Sequence, residues 1–177
     1  MGGMLLKLSA LTMTAALIAS AATLTAQEIN DAQIASIVVT ANQVDVDAGK
    51  LASTVTSNAE VKKFAQLMVS DHTGVNKSAT DLATKLKVTP EDNATSRALA
   101  AGGKENLDKL KKLSGAAFDK AYIAHEVVYH QQVLDAVDKT LIPGAKNAEL
   151  KALLVKVRPA FVAHLEHAKH LQASLAK

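Results

Sequence analysis

The sequence predicts an all-α fold: a four-helix bundle with one long crossover between its second and third helices. Three observations carry this reading. Apolar residues recur at alternating steps of three and four through four long stretches, the spacing that lines one face of a helix. The chain is 49% hydrophobic but only 3% aromatic, with no Trp, so its core is aliphatic, and the Ala and Leu that build much of it favour helix. With 177 residues and no cysteine, it makes one domain held by packing alone.

The first 26 residues stand apart. "MGGMLLKLSALTMTAALIASAATLTA" carries one charge, Lys7, and the next is Glu28. An apolar run ending in small residues reads as a secretory signal, with cleavage after Ala21, Ala22 or Ala26, which leaves 27–177 as the mature domain. Ser and Thr dilute the run, and it barely reaches the length of a spanning helix. Anchoring by an uncleaved signal is the alternative. Leu6 stands where myristoylation needs Ser or Thr. The expected location is a bacterial periplasm, with no stable membrane span once the signal is removed.

The first helix runs from Asn30 to about Thr56, with Ile34, Ile37, Ala41, Val44, Ala48, Leu51 and Val55 on its seam. Asn30 or Asp31 caps it, and Gly49 lets a neighbour approach closely. Ser57 and Glu60 then form a capping box for the second helix. Its seam is Val61, Ala65, Met68, His72, Val75, Ala79, Leu82 and Leu86, and Pro90 marks its exit. Residues 88–113 are less regular: Gly102–Gly103 reads as a linker turn, followed by a short amphipathic piece with Leu107, Leu110 and Leu113. The third long helix carries Ile123, Val127, His130, Leu134, Val137 and Leu141 and stops at "IPG". The fourth follows Asn147, with Glu149 placed well for the helix dipole. Its seam is Leu150, Leu153, Val157, Phe161, His164, Ala168, Leu171 and Leu175, and Pro159 should kink it by freeing the carbonyl of Val155. The segment 88–113 is long enough to recross the bundle, which is the ferritin-like arrangement.

Histidines cluster near the end in "HLEHAKH". At about 100° per residue, a helix that turns His164 inward places His167 at the edge of the buried stripe and His170 in solvent. This run is therefore not a three-ligand site. A different set is informative. His72, His130 and His164 each interrupt an otherwise apolar seam, one per helix, and each lies within about 5 Å of its helix midpoint. Asp45 sits at the same level on the first helix, and Glu126 lies one turn from His130 on the same face.

A mid-bundle layer of Asp45, His72, Glu126, His130 and His164 has two main readings. The imidazoles and a carboxylate converge on a divalent metal, zinc first and copper or iron second. Alternatively they form a satisfied polar network, with Asp71, Tyr122 or Tyr129 as partners, that fixes helix register in a structural or interaction module. Such a module would pair with a second copy or with an envelope protein. A third reading is a pH sensor, whose buried neutral histidines resist protonation until acid destabilises the bundle.

Other chemistry is thin, and catalysis is not expected. Glu-x-x-His, the signature of carboxylate-bridged di-iron bundles, does not occur. There is no Cys nucleophile, phosphate-binding Gly loop or Gly-x-Ser-x-Gly elbow. A net charge of +3, without basic residues interleaved with aromatics, argues against nucleic acid as a partner. "KENLDKLKK" reads as a solvated helix face, and His125 as a flank residue.

Taken together, "EVKKFAQLMVSDHT", "FDKAYIAHEVVYHQQVLDAVD" and "ELKALLVKVRPAFVAHLEHAK" resemble a family of exported bacterial proteins, domain of unknown function 4142, over residues 30–175. The resemblance implies a ferritin-like bundle and export, and no activity. Its pattern matches Asp71 and His72, then Phe118, Asp119 and Tyr122, then His130 and His164. The family often has Glu where this chain has the shorter Asp45.

Overall fold

The computed structural model describes residues 29–177, and every element within them is helical. The signal segment expected at 1–26 lies outside the described residues. The helices are α1 (Asp31–Val55), α2 (Ala59–Leu86), α3 (Ala94–Leu110), α4 (Gly115–Ala136) and α5 (Ala148–Leu175). A π-helical turn, Val137–Leu141, and a last helical turn, Ile142–Gly144, extend α4. Among the described residues no helix is long and apolar enough to cross a membrane.

Side chains that satisfy free amides start most of these helices. Asn30 accepts from the Gln33 amide while the Gln33 side chain accepts from the Asn30 amide, a capping box. The cap of α2 is Asn58 and not Ser57, because the Asn58 carbonyl accepts from both Glu60 and Val61 amides. Asn147 caps α5 in the same way. Asp31 adds a tertiary contact by accepting from the amides of Lys146 and Asn147, which ties the start of α1 to the start of α5. The last helix continues through Pro159, whose exposed position leaves the freed turn on the solvent side.

Residues 94–110 differ most from the sequence reading. They form one continuous helix, capped by Asn93, and Gly102–Gly103 is helix interior and not a linker turn. The close approach of α3 to α1 explains the second glycine. A Cβ on Gly103 would meet Val44 Cγ2 at 2.6 Å, whereas one on Gly102 would meet nothing within 4 Å. Gly49 plays the same part on the other side of α1, where a Cβ would meet the Ala65 carbonyl oxygen at 2.8 Å.

The hairpins α1–α2 and α4–α5 are the main packing units, and α2 against α5 and α1 against α4 complete the bundle. Helix α3 carries the chain back along α1, so α4 starts at the end where α2 started. Covered by α2, α3 and α4, α1 is buried well beyond its expected seam, with Ser36, Val38, Asn42, Asp45 and Val46 all enclosed. The aliphatic core falls mainly into two parts. One holds Ala48, Phe64, Met68, Tyr122 and Leu171, and the other holds Ile34, Ile37, Ala79, Leu141 and Leu154. Buried polar residues lie between them, beside a smaller third cluster of Leu134, Phe161 and Leu165.

Candidate metal centre

All five residues expected in the mid-bundle layer come together there. Asp45 comes from α1, His72 from α2, Glu126 and His130 from α4, and His164 from α5, and none is more than 3% exposed. They form two overlapping triads that share His130: His72, His130 and His164, and Asp45, Glu126 and His130. Within each triad the ligand atoms lie within 4.8 Å of one another. The three imidazole centroids are 5.2 to 5.5 Å apart. Seam positions on three separate helices meet because they lie at one level of the bundle.

The hydrogen bonds fix each imidazole tautomer. His72 Nδ1 is 2.7 Å from Asn42 Oδ1, and Asn42 Nδ2 donates to the Val38 carbonyl at 2.7 Å. That second bond makes Oδ1 the acceptor, so Nδ1 carries the His72 proton and Nε2 carries the lone pair. His130 Nδ1 lies 3.0 Å from the Glu126 carbonyl oxygen, which can only accept, so its Nε2 is also a lone pair. His164 is reversed. Its Nε2 donates to Asp71 Oδ2 at 2.9 Å, leaving Nδ1 free. Among the described residues, none of these three lone-pair nitrogens has a hydrogen-bond partner, and neither do the two Glu126 oxygens.

Buried polar atoms are ordinarily hydrogen-bonded. Of the expected partners, only Asp71 serves the layer. Tyr129 donates to the Ala41 carbonyl at 3.0 Å, and the Tyr122 hydroxyl is buried without a partner. Asn42, which orients His72, was not among the expected residues. A lone Asn beside an apolar seam, one turn before Asp45, was the available signal. His167 is half-buried and edge-on to Phe64 at 5.1 Å, and His170 is exposed, as the helical arithmetic required. His125 stacks on Tyr129 outside the layer.

Burial sets the protonation states. It pushes His72 down to about 2, with His130 and His164 adding to the effect. Burial also lowers His164, opposed by its bond to Asp71. The carboxyls move the other way: burial raises Glu126 to about 8, and raises Asp45 well above its usual range, with Glu126 adding to the shift. At neutral pH, His72 and His164 are therefore neutral imidazoles, and Glu126 mostly holds its proton.

This geometry suits a cation. Zinc bonds of about 2.0–2.1 Å put tetrahedral ligand atoms roughly 3.4 Å apart. His72 Nε2 and Asp45 Oδ2 stand 3.6 Å apart. A divalent ion with both carboxylates ionised also leaves the layer neutral, removing the cost of a buried net charge. Each histidine is held at its outer nitrogen by an acceptor, the second-shell arrangement that orients metal-ligating imidazoles. Phe161 stacks on His72 at 5.2 Å and 12°, closing one side with an apolar ring.

A family described as "Domain of unknown function (DUF4142)" matches residues 14–171, which include every residue of the layer. No curated protein matches, and no solved structure matches.

Proposed function

The chain belongs to the family described as Domain of unknown function (DUF4142), a description that names no activity, and from the site's chemistry we propose that it is an exported bundle of ferritin-like architecture that binds one divalent transition-metal ion through His72, His130 and His164, with Asp45 or Glu126 completing the shell. One observation carries the reading. Three buried imidazoles on three helices bring a ligand nitrogen each within 4.8 Å of one another, and each keeps a lone-pair nitrogen without a hydrogen-bond partner in a tautomer fixed by an outer acceptor. A polar network serving register alone would leave such atoms paired.

Neutral nitrogen donors with one or two carboxylates suit zinc first, and copper or iron second. The role we propose is storage, buffering or structural stabilisation, in keeping with the burial of every residue of the layer. Export rests on the character of residues 1–26 and makes the periplasm the compartment in which metal is acquired.

The test is the metal content of mature protein, purified from the periplasm without chelator or affinity tag, beside the His72→Ala/His130→Ala/His164→Ala variant. Near-stoichiometric zinc, copper or iron in the wild type and none in the variant is the expected result. No metal in either protein, with a large loss of stability in the variant, would make the layer structural and overturn the reading.

A further inference from the structure

Because the layer is enclosed, an ion can reach it only along a seam between helices. Among the described residues, one side-chain hydrogen bond links the layer to a partly exposed group. His164 Nε2 donates to Asp71 Oδ2 at 2.9 Å, and the Asp71 side chain is 38% exposed against 4% for His164. The other two outer bonds turn inward. His72 is held by Asn42, itself buried, and His130 by a carbonyl of its own helix. Asp71 lies on α2 beside His72 and bonds across to α5, so it stands at the outer edge of the α2–α5 seam. That seam is packed far less extensively than either hairpin.

We propose that Asp71 is the point of cation uptake: its carboxylate captures a hydrated divalent ion at the surface and passes it along the α2–α5 seam to the lone pair of His164. This rests on the metal-binding reading above. Asp71 then has two separable roles, since its charge attracts the ion while its oxygen accepts from His164 Nε2 and keeps Nδ1 free. Asn in its place keeps the acceptor and removes the charge. Ala removes both.

The experiment follows cobalt(II) uptake by the chelator-stripped full-length mature chain, using stopped-flow visible absorbance at low salt. Wild type is compared with Asp71→Asn, Asp71→Ala and a control, Asp81→Asn, on an exposed α2 carboxylate paired with Lys77. Wild type and Asp71→Asn should reach the same final cobalt content, with Asp71→Asn about tenfold slower, the lower end of electrostatic steering effects. Asp81→Asn should load at the wild-type rate, and Asp71→Ala should load both slowly and incompletely. Equal rates in wild type and Asp71→Asn would overturn the uptake role. So would a normal association rate with faster release, which would make Asp71 a residue that holds the ion. A wild-type protein that takes up neither cobalt nor zinc would instead remove the metal-binding reading itself.

Discussion

Metal-free protein should lose stability as pH rises above neutrality, and replacing Glu126 by Gln should abolish most of that loss. Glu126 is fully buried, and burial raises it to about 8 from the usual 4.5, against an opposing effect of its neighbour Asp45. The sign is the reverse of a salt-bridged carboxylate. Below about pH 4.5, Glu126 is protonated in both folded and unfolded chains and contributes nothing. Between 4.5 and 8 the unfolded chain releases a proton that the folded chain keeps, so stability falls with pH, and the fall levels off above 8. From pH 6 to pH 8 this single group accounts for about 2 kcal/mol, at 1.36 kcal/mol per unit. The histidines slope the other way, since burial lowers His72 and His164, but their contribution is common to wild type and variant. The difference between the two proteins therefore reports Glu126 together with its effect on Asp45, which Glu126 helps to raise. Urea unfolding of chelator-stripped wild type and Glu126→Gln at pH 6, 7 and 8 measures it. The Gln variant should gain about 2 kcal/mol relative to wild type across that range, and metal-saturated wild type should show no such loss, because the ion compensates the carboxylates. Parallel wild-type and variant curves would refute the argument that Glu126 is forced to carry its proton in the folded layer.

Two further outcomes are expected. Asn42→Ala removes the acceptor that holds the His72 proton on Nδ1 and should weaken metal affinity by about 10- to 100-fold in a chelator competition, with the fold retained by circular dichroism; unchanged affinity would mean that the tautomer is set elsewhere. The adjacent glycines of α3 should separate cleanly in thermal melts. Gly102→Ala, on open surface, gains helix propensity and should stabilise by up to about 1 kcal/mol, whereas Gly103→Ala drives a Cβ into Val44 and should cost about 1–3 kcal/mol. Equal effects at the two sites would show that α3 does not pack against α1 at this point.

Much of this architecture can be read from the sequence because period and depth are local quantities. The steps between His72, Val75 and Ala79, or between His164, Ala168 and Leu171, fix which face is buried without knowledge of the partner helix. Comparing helix midpoints then places the three histidines at one level. Contacts made only by tertiary packing were harder to read. Gly102–Gly103 has the local appearance of a turn, and the reason for a glycine inside a helix, the 2.6 Å approach of Val44, exists only once α3 lies on α1. Ser57 and Asn58 are both good caps, and the choice of Asn58 depends on where α1 releases the chain, with Thr56 as its last cap. Asn42 is not legible from the seam of α1, which marks a single face, because α2, α3 and α4 together bury α1 on several sides.

The polar layer also divides the bundle. One aliphatic cluster lies on the side of Ala48, Phe64 and Leu171, and the other on the side of Ile34, Ala79 and Leu154. In the metal-free chain these are two adhesive blocks joined at the polar level by only the smaller cluster of Leu134, Phe161 and Leu165, so each block can open as a separate unit of hydrogen exchange. An ion bound to α2, α4 and α5 at that level rivets the blocks together, and amides at both ends of the bundle then exchange only through unfolding of the whole. Metal content would then govern how many independent pieces the molecule has, as well as how stable it is.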